Sequence, residues 1–259
     1  MLKPPPAPPR LGRKWACDMV DGLVCIIPAR GGSKRIRRKS LVDMGGIPMI
    51  GHTISAAVKS GLFGAPYVST DDEEIARVSE RYGAQVPFMR PPELATDAAA
   101  LQPVCLHVLE ELEARGKRYE HLCLLMPNCP LRTAQDIVNS YEAYRASGRD
   151  FLMSVTDYGG LVPFWALRKE EDGTLVRYWP EDYHSVNSQC LPDVYCPSGA
   201  IRWARVEAFR AQRTFYGEGL VGYALPRDRA IDIDDPMDLL FARSLLAFKN
   251  GQAEGGTSG

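Results

Sequence analysis

Arg30, Lys34, Arg35, Arg37, Arg38 and Lys39 put six positive charges within ten residues, and Gly31 and Gly32 lie among them in the run PARGGSKRIRRKS. Adjacent glycines let a backbone turn and approach a ligand closely, and the charges around them suit a polyanion. The second group that could do chemistry lies near the other end of the chain, in Ile231-Asp232-Ile233-Asp234-Asp235. Along a strand alternate side chains share a face, so Asp232 and Asp234 are expected side by side. Two hard carboxylates suit Mg²⁺, which takes one or two of them together with substrate phosphates. Asp235, just before Pro236, reads instead as a helix cap. A phosphate-cradling loop and a two-carboxylate metal site in one chain imply nucleoside triphosphate chemistry.

Each feature alone has a plainer reading. The loop could be a solvated basic turn, KRIRRK a targeting or nucleic-acid patch, and the acids a decorated helix N-terminus. The loop is neither GxxxxGK[ST] nor GxGxxG. A formal net charge of −1 makes the basic loop a local feature and weighs against nucleic acid as a partner. No Ser-His-Asp set is evident: His52, His107 and His121 fall in predicted helices or at a strand start and read as structural, and His184 falls in a loop. Seven cysteines, without CxxC or zinc-finger spacing, read as reduced thiols of a cytoplasmic protein. Met1 to Cys17 lacks the apolar core of a signal peptide and no run of 18 apolar residues occurs, so no membrane association is expected.

The elements that must position these residues follow an α/β pattern. Leu23 to Pro28 is an apolar run suited to a buried strand, followed after the loop by a helix over Met49 to Val58. A strand at Tyr67 and Val68 leads into a second helix, with Thr70 or Asp71 as its cap and Glu73 and Glu74 in its first turn. A short strand over Gln85 to Phe88, a helix over Ala98 to Arg115, a strand over His121 to Met126 and a helix capped by Thr133 and stopped by Gly148 come next. Further strands are expected at Phe151, Tyr195 to Trp203, Gly222 to Leu225 and in the acidic segment, with helices over Arg205 to Arg213 and from Pro236. This is a layered, mainly parallel α/β sheet, whose ligands bind beyond the carboxyl ends of the strands. Residues 1–20, with KPPPAPPR, read as a disordered proline-rich tail, 21–249 as one domain, and 250–259 as a flexible tail. Within the domain, about 157–195 is rich in aromatics, proline and glycine and reads as an inserted antiparallel hairpin region, suited to contact with a partner subunit.

PARGGSKRI, STDDEEIA, YGA, RPPELATD, PxxPLR from Pro127 to Arg132, LPDVY, Gly199-Ala200-Ile201 and IDIDDP, in that order, resemble the acylneuraminate cytidylyltransferase family, the CMP-sialic acid synthetases and their relatives. The resemblance runs from about Leu23 to Leu246. It implies a Rossmann-like three-layer nucleotidyltransferase fold with a small β-rich dimerisation insert, and hence a homodimer. It implies transfer of CMP from CTP to the anomeric hydroxyl of an acidic keto-sugar, a nonulosonate, with release of pyrophosphate. The CTP loop carries over to Ala29, Arg30, Gly31, Gly32, Ser33, Lys34 and Lys39, with Arg90 also facing the nucleotide. Mg²⁺ carries over to Asp232 and Asp234, and Arg30 and Lys39 join these two as the catalytic set. The alternatives are CMP transfer to another acidic acceptor, and a nucleotide-binding homologue without catalysis.

The departures from the family pattern have a direction. SKxIPxKN becomes a run with Arg37 and Ser40 in place of its proline and asparagine. LLQPTSPLR becomes a run with Met126, Asn128 and Cys129 ahead of Arg132, and RQxLP becomes Ser188-Gln189-Cys190-Leu191-Pro192. Met126 removes an amide and Ser188 an arginine suited to a carboxylate. Met126, Asn128, Arg132, Ser188 and Gln189 are therefore the expected acceptor-binding residues, and the acceptor is expected to differ from N-acetylneuraminate.

Overall fold

The computed structural model describes residues 22–97 and 99–255. The proline-rich stretch 1–20 and the last residues of the chain lie outside them. Leu23–Pro28 forms the central strand β1, buried along its whole length. It pairs in parallel with β2 (Tyr67–Ser69) on one side and β3 (His121–Leu124) on the other. With β4 (Phe151–Thr156), β7 (Cys196–Arg205) and β8 (Val221–Ala224) these make a six-stranded sheet of order β2-β1-β3-β7-β4-β8. β7 is antiparallel to both its neighbours, β3 and β4, and the other pairings are parallel. The sheet is thus the expected mainly parallel one, with one reversed strand in the middle.

Alternation along β1 sends Cys25 and Ile27 to one face and Val24 and Ile26 to the other. The first face packs on α1 (Met49–Lys59) and α4 (Ala134–Ser147), where Trp203 stacks between Phe63 and Tyr144. The second packs on α3 (Leu101–Ala114) and α5 (Val206–Gln212) through Val108, Leu112 and Phe209. Each fully buried aliphatic side chain in these layers contributes roughly 1.5–3 kcal/mol. α4 has the expected ends: Thr133 and Asp136 form a reciprocal capping box, and Gly148 closes the helix in the left-handed region at φ 61°.

A third apolar cluster decides where the chemistry goes. Ile36 from the basic loop, Met44, Met49 at the start of α1, Leu131, Ile233 and Ala242 of α6 (Pro236–Gly255) pack together. Ile233 is fully buried while Asp232 and Asp234 on either side are exposed, so the cluster ties the basic loop to the acidic segment by their apolar residues and leaves the charges outward.

The structure differs from the sequence-based expectation at several ends. The acidic segment is not a strand; its one backbone hydrogen bond to the end of β3 runs from Ile233 N–H to the Asn128 carbonyl (2.8 Å). Gln85 to Phe88 supplies only a single bridge, to Tyr67. The cap of α2 (Glu73–Arg81) is Asp72, which accepts from the amides of Glu74 and Ile75; Thr70 accepts from Asp72 N–H and Asp71 from Gly31 N–H instead. α3 starts at Leu101, and α6 continues to Gly255 through residues whose composition reads as a loose tail. The hairpin in the insert is present as β5 (Leu167–Lys169) paired antiparallel with β6 (Leu175–Arg177).

Candidate active site

The loops after β1, β2 and β3 converge at the carboxyl end of the sheet on a cleft of about 250 Å³. Ala29, Arg30 and Ser33 come from the first loop, Lys39 and Ser40 from the turn behind it, Arg90 and Asp97 from the segment after β2, Met126 and Asn128 from the end of β3, and Asp234 from the acidic segment.

The basic loop is held open by acids from the next βα connection. Gly31 passes so close to Asp72 that an added Cβ would meet its carboxylate at 2.9 Å, so glycine is needed there for close approach, and Gly31 N–H donates to Asp71 Oδ1 (2.9 Å). Arg38 adopts the left-handed region at φ 53°, unusual for a long side chain, and its guanidinium bridges Asp72 (3.0 Å) and Glu74. One ion-pair cluster therefore caps α2 and fixes the exit of the loop. Across the cleft, Asp97 pairs with Arg30 (2.8 Å) and with Lys34, and these two cations hold its carboxyl below its usual range.

Lys39 bridges the two ends of the chain. Its Nζ donates to the Ile233 carbonyl (2.8 Å) and to Asp234 Oδ1 (3.0 Å), which lowers the pKa of Asp234. Asp232 behaves oppositely: it opens to solvent on one side, but crowding by protein and the neighbouring Asp234 push it up to about 6. Asn128 Nδ2 donates to Asp232 Oδ1, whereas the buried Asn128 Oδ1 has no partner. Gly199 on β7 completes this corner; a Cβ there would lie 3.2 Å from Asp232 Oδ2 and 3.4 Å from Cys129 Sγ.

Two expected site residues take other positions. Arg132 is buried beneath the cleft floor, donating to the Met126 carbonyl and leaving its Nε and Nη1 unpartnered, so in this structure it supports the β3 loop from behind. Its pKa is lowered by that burial. Ser188 and Gln189 lie in the insert and line a separate recess with Asp157, Tyr158 and Gly159. Arg90 does line the cleft, but it is buried and anchors its own segment, through Nε to Ser69 Oγ (3.0 Å) and Nη2 to the Ser69 carbonyl. The sequence named Arg38 only as one of six loop charges and Asp97 only as the end of a motif, and gave neither a role as counter-charge or anchor of the loop. The acid of RPPELATD and the doubled acids of STDDEE were the available signals, since an arginine-rich loop needs counter-charges in the absence of its ligand. Among the described residues no cluster of three or more His, Cys, Asp or Glu is placed to hold a metal.

Fold and cleft together are a mainly parallel α/β sheet whose carboxyl end carries a cleft lined by the basic loop and by Asp234. Comparison with known proteins agrees. Residues 24–157 match the family model described as Cytidylyltransferase. A pseudaminic acid cytidylyltransferase of Campylobacter jejuni is 33% identical over 230 residues, 89% of this chain and 98% of that protein. A CMP-N,N'-diacetyllegionaminic acid synthase of Legionella pneumophila is 31% identical over 226 residues, 86% of this chain and 96% of that protein. The solved structure of a CMP:2-keto-3-deoxy-manno-octonic acid synthetase complexed with CTP superimposes with a TM-score of 0.64 at 16% identity, covering 88% of this chain and 99% of that one, which shows a shared fold. This chain belongs to the cytidylyltransferase family. It is a CTP-dependent nucleotidyltransferase.

Proposed function

We propose that this enzyme transfers CMP from CTP to the anomeric hydroxyl of a nonulosonate of the pseudaminic or legionaminic type, in preference to N-acetylneuraminate, with release of pyrophosphate. The observation that carries the reading is the convergence of Arg30, Lys39 and Asp234 on one cleft beside Asp232. The choice of acceptor is supported by Met126 and Asn128 in the cleft wall, where the family pattern has other residues, and by the activities named for the similar proteins.

Arg30 and Lys34, held over the cleft by Asp97, exchange that carboxylate for the β- and γ-phosphates of CTP, while Lys39 faces the α-phosphate. Ala29 and Ser33, which line the cleft, bring backbone close to the phosphates, with Gly31 and Gly32 forming the turn between them, and Arg90 anchors the cleft wall through Ser69. The anomeric oxygen then bonds to the α-phosphorus in line with the bond to the bridging oxygen that breaks. Its proton passes to water, and pyrophosphate leaves with the bond electrons.

Asp232 and Asp234 would hold Mg²⁺. The fit rests on two hard carboxylates flanking one buried isoleucine, with Asp232 raised first by burial and then by the charge of Asp234, a repulsion that a cation relieves. When bound, the ion supplies neutralisation of phosphate charge. The working form is a homodimer formed through the insert, whose apolar side chains Leu161, Leu167 and Leu175 are exposed in one protomer. The protein works in the cytoplasm; the six described cysteines are free, and no described helix is long and apolar enough to cross a membrane.

The test is pyrophosphate release from CTP with pseudaminic, legionaminic, N-acetylneuraminic and 2-keto-3-deoxy-manno-octonic acids as acceptors. The first two are expected to give the highest kcat/KM. A wide margin in favour of N-acetylneuraminic acid overturns the choice of acceptor, and no release with any of the four overturns the reaction.

A further inference from the structure

The cations of the basic loop have two kinds of acidic partner. Arg38 pairs with Asp72 and Glu74, and Asp72 also caps α2 by accepting from the amides of Glu74 and Ile75, so that pairing is part of the fold. Lys39 pairs with Asp234 and is tied at the same time to the Ile233 carbonyl. Asp97 differs. Its Oδ1 accepts from Arg30 Nη1 (2.8 Å) and its Oδ2 from Lys34 Nζ, and among the described residues its carboxylate has no other hydrogen-bond partner. The helix that follows it, α3, has no side-chain cap, so Asp97 does no structural work there.

Its place makes that pairing exchangeable. Asp97 and Arg30 both line the cleft on which the loops after β1, β2 and β3 converge, and each keeps over a third of its side chain exposed, at 42% and 35%. Lys34 is more open still, at 80%. Ion pairs so exposed are screened by water and salt and hold weakly, so an anion of higher charge can displace the carboxylate. Arg30 and Lys34 keep Asp97 ionised, since they hold its carboxyl below its usual range. A carboxylate that gives one oxygen to an arginine and the other to a lysine makes the contacts that two phosphate oxygens would make with the same cations. Asp97 and a polyphosphate are therefore alternative occupants of one pair of donors, and their like charges oppose sharing it.

We propose that Asp97 is an internal competitor of the triphosphate: a positioning residue that holds Arg30 and Lys34 in place in the empty enzyme, yields them to the β- and γ-phosphates of CTP, and takes them back as pyrophosphate leaves. The proposal rests on the assignment of those two phosphates to Arg30 and Lys34 made above. Asp97 touches no reacting atom. Its effect falls on the two ligands that carry the β- and γ-phosphates, the substrate CTP and the product pyrophosphate, and it weakens both by the same exchange. The CMP part of the nucleotide makes no claim on these two cations, so its binding is indifferent to Asp97.

The experiment titrates CTP, pyrophosphate and CMP by calorimetry into wild type, Asp97→Asn and Asp97→Glu, with Mg²⁺ present and no acceptor, and follows the fold by thermal unfolding. Asp97→Asn keeps the shape of the side chain and removes the competing charge. Its Kd for CTP and for pyrophosphate is expected to fall by about 3- to 10-fold, the scale of one or two exposed ion pairs. The Kd for CMP is expected to stay within about twofold, and Asp97→Glu, which keeps the charge, to recover most of the wild-type values. Should Asp97→Asn unfold, Asp97→Ser decides on the same three ligands. Unchanged or weaker binding of CTP and pyrophosphate overturns the proposal. A gain of equal size for CMP also overturns it, because Asp97 then acts as a diffuse charge and not as an exchange partner. The titrations need no acceptor, so they are independent of the choice of sugar; a wild type that binds neither CTP nor pyrophosphate overturns the functional reading and this proposal with it.

Discussion

Asp232 and Asp234 sit two residues apart with different partners, and the difference sets what each substitution does. Asp234 is tied to Lys39, so Asp234→Asn frees that lysine as well as removing a carboxylate; Asp232 is tied to Asn128, so Asp232→Asn exchanges one amide contact for another. Both side chains are exposed and each repels the other, so neither change removes packing and each relieves like-charge strain. The expected outcome is a loss of turnover of about 100-fold or more in each variant, the scale of a lost electrostatic contact to the reacting phosphates. Thermal unfolding is expected to shift by no more than a few degrees, since surface substitutions usually fall within about 0.5 kcal/mol. Pyrophosphate release and a melting curve on the same preparations check this, and full turnover in both variants would remove the acidic pair from the active site. Arg132 is the contrasting case. Its place in PxxPLR marks it for the site, but its burial under Met126 makes it a support for the β3 loop, and only the three-dimensional packing separates the two roles.

Among the elements, β7 brings backbone rather than a functional side chain to the acidic corner at Gly199. A Cβ there would stand 3.2 Å from Asp232 Oδ2, 3.3 Å from Met126 Cγ and 3.4 Å from Cys129 Sγ, distances at which the neighbours must yield by a few tenths of an ångström. Gly199→Ala is therefore expected to cost only about 1 kcal/mol of stability, at the low end for overpacking. The displacement falls on Asp232, so turnover is expected to drop by about 10- to 100-fold. Urea unfolding and steady-state kinetics separate the two effects, and a variant that loses stability but no activity would show that the corner tolerates movement. The strands themselves were legible because LVCIIP and HLCLLM are short apolar runs ended by proline, and helix α4 because Thr133 and Gly148 mark its ends chemically. The reversed direction of β7 was not, since an apolar run carries no sign of the strand beside it. Nor was the cluster joining Ile36 to Ile233, because periodicity reports which side of an element is buried and not what covers it. That cluster explains why an acidic segment without a sheet ladder still brings Asp234 to Lys39 of the basic loop.

For the whole molecule, the question is what stabilises the insert. β5 and β6 are three residues each and pair only with each other, and a two-stranded hairpin is marginal in water without a face to pack on. Leu167 and Leu175, one from each strand, are 51% and 62% exposed, and Leu161 just before them is 83% exposed. Met237, Leu240, Phe241 and Phe248 form a second exposed stripe at helical spacing along α6. A second copy of the chain that covers the hairpin would satisfy both the exposed leucines and the missing support. The protein is therefore expected to run as a dimer in light scattering at micromolar concentration. The double variant Leu167→Glu with Leu175→Glu places two charges where the partner would pack, and is expected to run as a monomer. Because neither residue belongs to the main apolar clusters, the central domain should keep its cooperative unfolding, while amide exchange in residues 163–195 becomes faster as the hairpin loses its cover. A double variant that stays dimeric would move the interface away from the hairpin, with the α6 stripe the next surface to test. A monomeric wild type would mean that the hairpin is held by its own aromatic packing, in which Phe164 lies against Tyr183 at 4.6 Å between ring centroids and against Trp179 at 6.1 Å.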